Sequence, residues 1–188
     1  MTSILEVEQL DTLSSNASST LTIGGTNTTT IAFGPNVTTT PSSLANTPAF
    51  SVNLGSNQVL SNNVVTKILL DTEEYDTDSA FASNKFTVPT GKGGKYAITL
   101  NIYWSLGNTE SASELRLQLY KNGSALNREW ISFNPSGRLT AMAQTLKVDL
   151  DLSAGDYLEM YALGYTGGAS ITAVDTQTKM SGFRIIGA

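Results

Sequence analysis

The chain has 188 residues, a length for one ordinary domain with an appendage or two small ones, and 40% of it is hydrophobic, enough for a core of ordinary size. Only 14% is charged, the net charge is −5 and there is no basic run, which argues against a nucleic-acid groove. Cysteine and histidine are both absent, which removes disulfides, thiolate nucleophiles, cysteine zinc sites, the commonest general base and the Ser-His-Asp triad.

Residues 1–13, MTSILEVEQLDTL, carry Ile4, Val7, Leu10 and Leu13 at intervals of three. The spacing fits a short helical stripe, but an isolated helix this short is marginal. The alternative is a terminus that orders on a partner, so the segment reads as an attachment segment. Acidic residues stand where a secretion signal needs positive charge. Either the protein is not secreted by that route, or the chain is a mature form. No apolar run approaches the roughly 20 residues of a membrane span.

Ser, Thr and Asn dominate residues 14–47, where two phrases recur ten residues apart: Leu21-Thr-Ile23-Gly24 and Ile31-Ala-Phe33-Gly34. Each reads as a short alternating strand closed by glycine. One such pair buries too little to stand alone. Three copies around an axis would pool Leu21, Ile23, Ile31 and Phe33, which makes the segment a β shaft; the alternative is a flexible Ser/Thr linker. The repeats resemble the short glycine-threonine-asparagine repeats of viral fibre proteins.

From Pro48 to the end, strand follows turn. Phe50, Val52 and Leu54 alternate, and Val64 to Leu70 (VVTKILL) is an apolar run. The loop GKGGK at 91–95 raises the question of phosphate binding. The phosphate-loop pattern fails here: Pro89 stands where its first glycine belongs, Tyr96 replaces the Ser or Thr, and a strand follows instead of a helix. GKGGK is therefore predicted to be a turn. After it Tyr96, Ile98, Leu100, Ile102 and Trp104 share one face, and Leu115, Leu117 and Leu119 share another. Asn122-Gly123 is a strong hairpin signal. Ile131 and Phe133, Leu146 to Leu152, Leu158 to Leu163, Ile171 to Val174 and Phe183 to Ile186 complete the series. Eight or more strands in about 140 residues mean an all-β sandwich or jelly roll.

Five phrases then fall in one order: Ala49-Phe-Ser-Val52; Phe86-Thr-Val-Pro89 followed by Gly94-Lys-Tyr96; Leu119-Tyr-Lys-Asn-Gly123; Leu152-Ser-Ala-Gly-Asp-Tyr-Leu158; and Met180-Ser-Gly-Phe-Arg-Ile185. In that order they resemble the tumour necrosis factor and complement-one-q jelly-roll superfamily, over residues 48–188. The resemblance implies a trimeric head whose inner sheet packs around a threefold axis. Alternation assigns faces to the strands it would use. Val148 and Leu150 are expected to point inward. Ala97, Thr99 and Tyr103, then Ala141, Ala143 and Thr145, are expected on the outer, axis-facing side. On the last strand Phe183 and Ile185 are expected inside, and Arg184 and Ile186 outside. The alternative is that the small residues are ordinary exposed strand positions.

Catalysis and metal binding find little support. Asp71, Glu73, Glu74, Asp76 and Asp78 are clustered oxygen ligands of the kind calcium takes, but the glycine-bearing spacing of the helix-loop-helix site is missing, so a solvated loop is expected. Asp149 and Asp151 are a carboxylate pair such as a glycosidase uses, two apart on the solvent side of one strand, with nothing to place them in a cleft. Asn16, Asn27, Asn36 and Asn122 lie in glycosylation sequons, several of which arise by chance in so Ser/Thr-rich a chain. No cofactor or metal is expected and no enzyme activity.

The sequence thus reads as a virion structural protein, a fibre, spike or capsid-decoration head. It would trimerise with itself, dock to other virion proteins through its N-terminus and touch a host receptor or glycan. The alternative is an extracellular or cell-surface carbohydrate-binding adhesin of the same fold, with Trp130, Tyr161 and Tyr165 as stacking platforms for sugar.

Overall fold

The computed structural model describes residues 46–106, 112–133, 139–166 and 171–185, with the backbone alone over 127–133. These residues belong to the second of two units, Pro41–Ala188. The predicted attachment segment 1–13, and all but the last two residues of the predicted shaft 14–47, lie outside them, and with them Leu21, Ile23, Ile31 and Phe33.

Thirteen strands and no helix make up the described residues. In chain order they are β1 (Ala49–Asn53), β2 (Gln58–Leu60), β3 (Thr66–Lys67), β4 (Thr72–Asp76), β5 (Phe81–Ala82), β6 (Lys85–Thr87), β7 (Gly94–Ser105), β8 (Glu114–Lys121), β9 (Ser124–Phe133), β10 (Ala141–Leu152), β11 (Tyr157–Tyr165), β12 (Ile171–Ala173) and β13 (Lys179–Arg184). They pair into two antiparallel sheets. In the first, β7 takes β10 along one edge; β12 and β13 lie end to end along the other, and β2, β1 and β4 extend the sheet beyond them. The second runs β5-β6-β11-β8-β9, with β3 also on β11. The chain passes from β6 to β7 to β8 by changing sheet each time, returns from β9 to β10, and ends with β13 beside β1. This winding is a jelly-roll sandwich.

Alternation builds the core. Tyr96, Ile98, Leu100, Ile102 and Trp104 of β7 are all buried, and Leu115, Leu117 and Leu119 of β8 and Leu158, Met160 and Ala162 of β11 meet them from the second sheet. Full burial of a large apolar side chain stabilises by about 1.5–3 kcal/mol relative to exposure. At one end Phe50 stacks on Phe86 at 4.3 Å, and Phe86 tilts against Tyr96 at 5.7 Å. Burial pushes the Tyr96 hydroxyl up to about 12, and that hydroxyl donates to Lys92 O at 2.5 Å. Gln144 is the polar exception in β10. Its Oε1 accepts from Trp104 Nε1 (2.7 Å) and its Nε2 donates to Leu115 O (3.2 Å), so a buried amide ties one sheet to the other with both ends satisfied.

The turns follow their residues. Asn122 (φ 53°) and Gly123 (φ 77°) both take the left-handed conformation that a two-residue hairpin loop demands between β8 and β9. In GKGGK, Lys92 N donates to Pro89 O (3.0 Å) and Gly91 has φ 74°, so the loop is a tight turn leading into β7.

Three expectations are corrected. The apolar run VVTKILL is not one strand: only Thr66–Lys67 is strand, Ile68 N donates to Met160 O, Ile68 and Leu70 are buried, and Val64, Val65 and Leu69 are exposed. The acidic stretch is not a loop but largely a strand, β4, on the free edge of the first sheet beside β1. On β13 the predicted phase is off by one. Met180 and Gly182 point inward, while Phe183 pairs with Ala97 and is exposed. The reason is Gly182, whose absent Cβ would lie 2.5 Å from Ile98 Cδ1 and 3.1 Å from Phe50 Cε1. An inward position that has room only for glycine carries no hydrophobic signal.

Candidate functional site

The outer face of the first sheet is built from the odd positions of β7 and β10. Tyr103 lies opposite Ala143, Asn101 opposite Thr145, Thr99 opposite Lys147, and Ser105 opposite Ala141. Across the other edge of β7, Ala97 faces Phe183 and Thr99 faces Ser181. Six of the seven residues predicted for a head interface, Ala97, Thr99, Tyr103, Ala141, Ala143 and Thr145, thus share one continuous surface. The seventh, Ile186, lies outside the described residues. Register alone dictates this grouping, since opposite residues in a ladder share a face.

Sequence reasoning missed the most informative member. Phe183 is 43% exposed on this face, between Ala97 on β7 and Ala49 on β1. Its neighbours toward β1 and the middle of β7 are short, Ala97, Thr99, Ser181 and Ala49, and the longer Lys95 and Ile185 lie at its other end. A large ring left wet among small residues is a shape that an apposed surface can close over. The signal that would have found it is Gly182: counting glycine as an inward residue reverses the phase of the strand.

Polar groups frame the surface. Glu74 of β4 accepts from Ser51 Oγ (2.6 Å) and Asn53 Nδ2 (2.9 Å), and these bonds, aided by Lys179, hold its carboxyl below the usual range. Asn53 Oδ1 is buried without a hydrogen-bond partner among the described residues. At the other end Asp149 and Asp151 are exposed, as predicted, and flank an open depression with Lys95, Leu150 and Ile185. The acidic cluster is used locally. Asp71 accepts from Gly55 N (2.8 Å), Asp76 from Phe81 N (2.7 Å), and Asp78 pairs with Lys92 (3.4 Å). No three acidic side chains converge on one point among the described residues.

The second sheet presents a different outer face. Tyr161 stacks on Tyr120 with centroids 3.9 Å apart, and burial, with Glu159 beside it, pushes the Tyr161 hydroxyl above its ordinary value. Glu159 pairs with Lys67 at 2.7 Å. Tyr165, four residues on, is exposed. Trp130 stands opposite Gln118 in the ladder, and its side chain lies outside the description. The structure therefore places two of the three predicted sugar-stacking residues, Tyr161 and Tyr165, on one strand and one face, with Tyr161 already stacked.

No protein-family model matches the chain, and no curated protein matches it. Among solved structures it is similar to the globular domain of zebrafish complement 1qA protein, with 17% identity and a TM-score of 0.49 over 73% of this chain and 97% of that one. It is also similar to Eiger TNF from S. frugiperda, with 12% identity and a TM-score of 0.49 over 75% of this chain and 95% of that one. No helix among the described residues is long and apolar enough to cross a membrane.

Proposed function

We propose that residues 48–188 form the head of a homotrimer, a non-enzymatic recognition or scaffold module whose subunits meet through the outer face of the first sheet. One observation carries the reading: Phe183 is exposed on an outer face where small and uncharged residues, Ala97, Thr99, Ser181, Tyr103 and Ala143, lie beside it, with the charged Lys147, Asp149 and Asp151 confined to the edge strand β10. Small residues allow close approach, and the ring supplies apolar area that a lone chain leaves wet. Three copies around an axis are the cyclic arrangement implied by the resemblance of the five ordered phrases.

In this reading the trimer is a virion fibre, spike or decoration protein at the particle surface, docked by residues 1–13 and carried by the shaft 14–47. Support comes from the ten-residue repeat at Leu21 and Ile31, which needs partners to bury its apolar positions, and from β1, the first strand of the head, lying in the interface sheet. Light scattering at low micromolar concentration tests the trimer: the expected mass is three chains, and a single-chain mass overturns it. Deleting residues 1–47 is expected to leave a folded trimer that no longer joins the particle; normal incorporation counts against the docking role.

A second reading, a carbohydrate-binding adhesin at an extracellular or cell surface, is favoured by the Tyr120–Tyr161 pair and the exposed Tyr165 on the second sheet. A glycan array separates the two: specific binding lost in Tyr165→Ala supports the adhesin, and silence supports the scaffold.

A further inference from the structure

We propose that Asn122 is a latent deamidation site, kept closed by a side-chain clasp between the β8–β9 hairpin and β11, and that its conversion prevents the clasp from re-forming. Asn122-Gly123 is the single Asn-Gly pair in the chain, and it sits at an exposed hairpin tip. In such a pair the Gly123 backbone nitrogen attacks Asn122 Cγ. A new C–N bond closes a cyclic imide, the Cγ–Nδ2 bond breaks, and Nδ2 leaves as ammonia with the proton given up by Gly123. Water then opens the imide at either carbonyl, leaving aspartate or isoaspartate. Glycine favours the attack because no side chain shields its nitrogen.

The folded hairpin withholds the geometry this needs. Asn122 Nδ2 donates to Asp156 Oδ1 at 2.7 Å, and Asn122 Oδ1 accepts from Tyr157 N at 2.9 Å. Asn122 N also donates to Tyr157 O at 2.9 Å. Both atoms of the amide are therefore tied to the start of β11, while the attack requires its carbon to swing to about 3–3.5 Å from the Gly123 nitrogen. Asp156 is in turn fixed by Ser153 N (2.8 Å) and Lys121 Nζ (2.8 Å), so the anchor is itself anchored. The same clasp occupies the nitrogen to which the Asn122 sequon would attach a glycan.

Conversion changes the sign of the contact. A donor at 2.7 Å from Asp156 becomes a carboxylate oxygen facing a carboxylate, and like charges at that separation repel. An isoaspartate also adds a methylene to a two-residue turn whose length sets the strand register. A transient opening of the hairpin is thereby recorded as a lasting one.

The test follows the mass and isoaspartate content of the peptide containing Asn122 during incubation of the full chain at neutral pH. The native chain is expected to convert about tenfold to hundredfold more slowly than the same chain unfolded in urea, the protection expected of one neutral and one charge-assisted hydrogen bond. Asp156→Ala, checked as folded by circular dichroism, is expected to move most of the way to the unfolded rate. Equal rates for native and unfolded chain overturn the proposal, as does folded Asp156→Ala converting no faster than the native chain. Should Asp156→Ala not fold, the native-versus-urea comparison still decides. Asn122→Asp, which imitates the product, is expected to melt below the native chain; an unchanged melting temperature overturns the loss of the clasp.

Discussion

The two outer faces of the sandwich are built to different degrees of completion. On the second sheet the large and charged side chains largely find partners within the chain: Tyr161 on Tyr120, Lys67 with Glu159, Lys121 with Asp156, and Lys85 Nζ 4.4 Å over the Tyr157 ring. On the first sheet Phe183, 43% exposed, has Ala97, Ala49, Ser181 and Thr99 as neighbours and no aromatic partner among the described residues. The second sheet also leaves one large ring exposed, Tyr165, so the difference between the faces lies in the charged and stacked side chains around the exposed ring and not in exposure alone. Both faces rest on antiparallel ladders, of seven strands in the first sheet and six in the second.

The largest expected effect comes from breaking the unfinished face. Phe183→Asp is expected to reduce the scattering mass from three chains to one at low micromolar concentration. The isolated subunit should lose about 1–2 kcal/mol, since Phe183 is half-buried on a strand, and should still fold. Tyr161→Asp, the matching change on the finished face, is expected to leave the three-chain mass intact. Dissociation by both variants, or by neither, removes the distinction between the faces.

Beneath the unfinished face, Gly182→Val is expected to destabilise by about 1–3 kcal/mol in urea unfolding, because the new side chain overpacks the core. The contacts it would force are Ile98 Cδ1 at 2.5 Å and Ala97 O at 3.0 Å. A neutral result would mean that Gly182 does not point inward, and would return Phe183 to the core.

Smaller effects sharpen the finished face. Tyr161→Ala is expected to lose about 1 kcal/mol by removing the stack on Tyr120, with the mass unchanged. Smaller still is the acid response of Asp156, whose carboxyl is lowered from 3.8 to about 2, chiefly by Lys121, then by Asn122 and Ser153 N. A folded value below the unfolded one means that its stabilisation is fully present above about pH 4 and fades as the pH falls toward 2. Solvent screening keeps the contribution to about 1 kcal/mol. Asp156→Ala should remove that part of the acid dependence, and an unchanged pH profile would show that the clasp does not stabilise the fold.

Much of this was legible in the residues. The period of two in Tyr96–Trp104 and Leu146–Leu152 assigned the faces of β7 and β10, and with them six residues of the candidate interface. The Asn-Gly pair located the hairpin, and Pro89 with Tyr96 settled that GKGGK feeds a strand. What the residues obscured was non-local. Acidic Thr72–Asp76 is a strand because β1 offers it a ladder, and Ser51 and Asn53 receive Glu74; no propensity of its own sequence says so.

Local alternation, then, was enough to determine an all-β sandwich and the faces of its long strands, because side chains on a pleated strand must alternate whatever the strand packs against. Only the tertiary structure decided that Phe183 faces outward, that VVTKILL divides between core and surface, and that Asn122 is clasped by Asp156. Each of these depends on an atom brought near by a distant part of the chain: Ile98 and Phe50 against Gly182, Met160 O receiving Ile68 N, and Asp156 beside the hairpin tip.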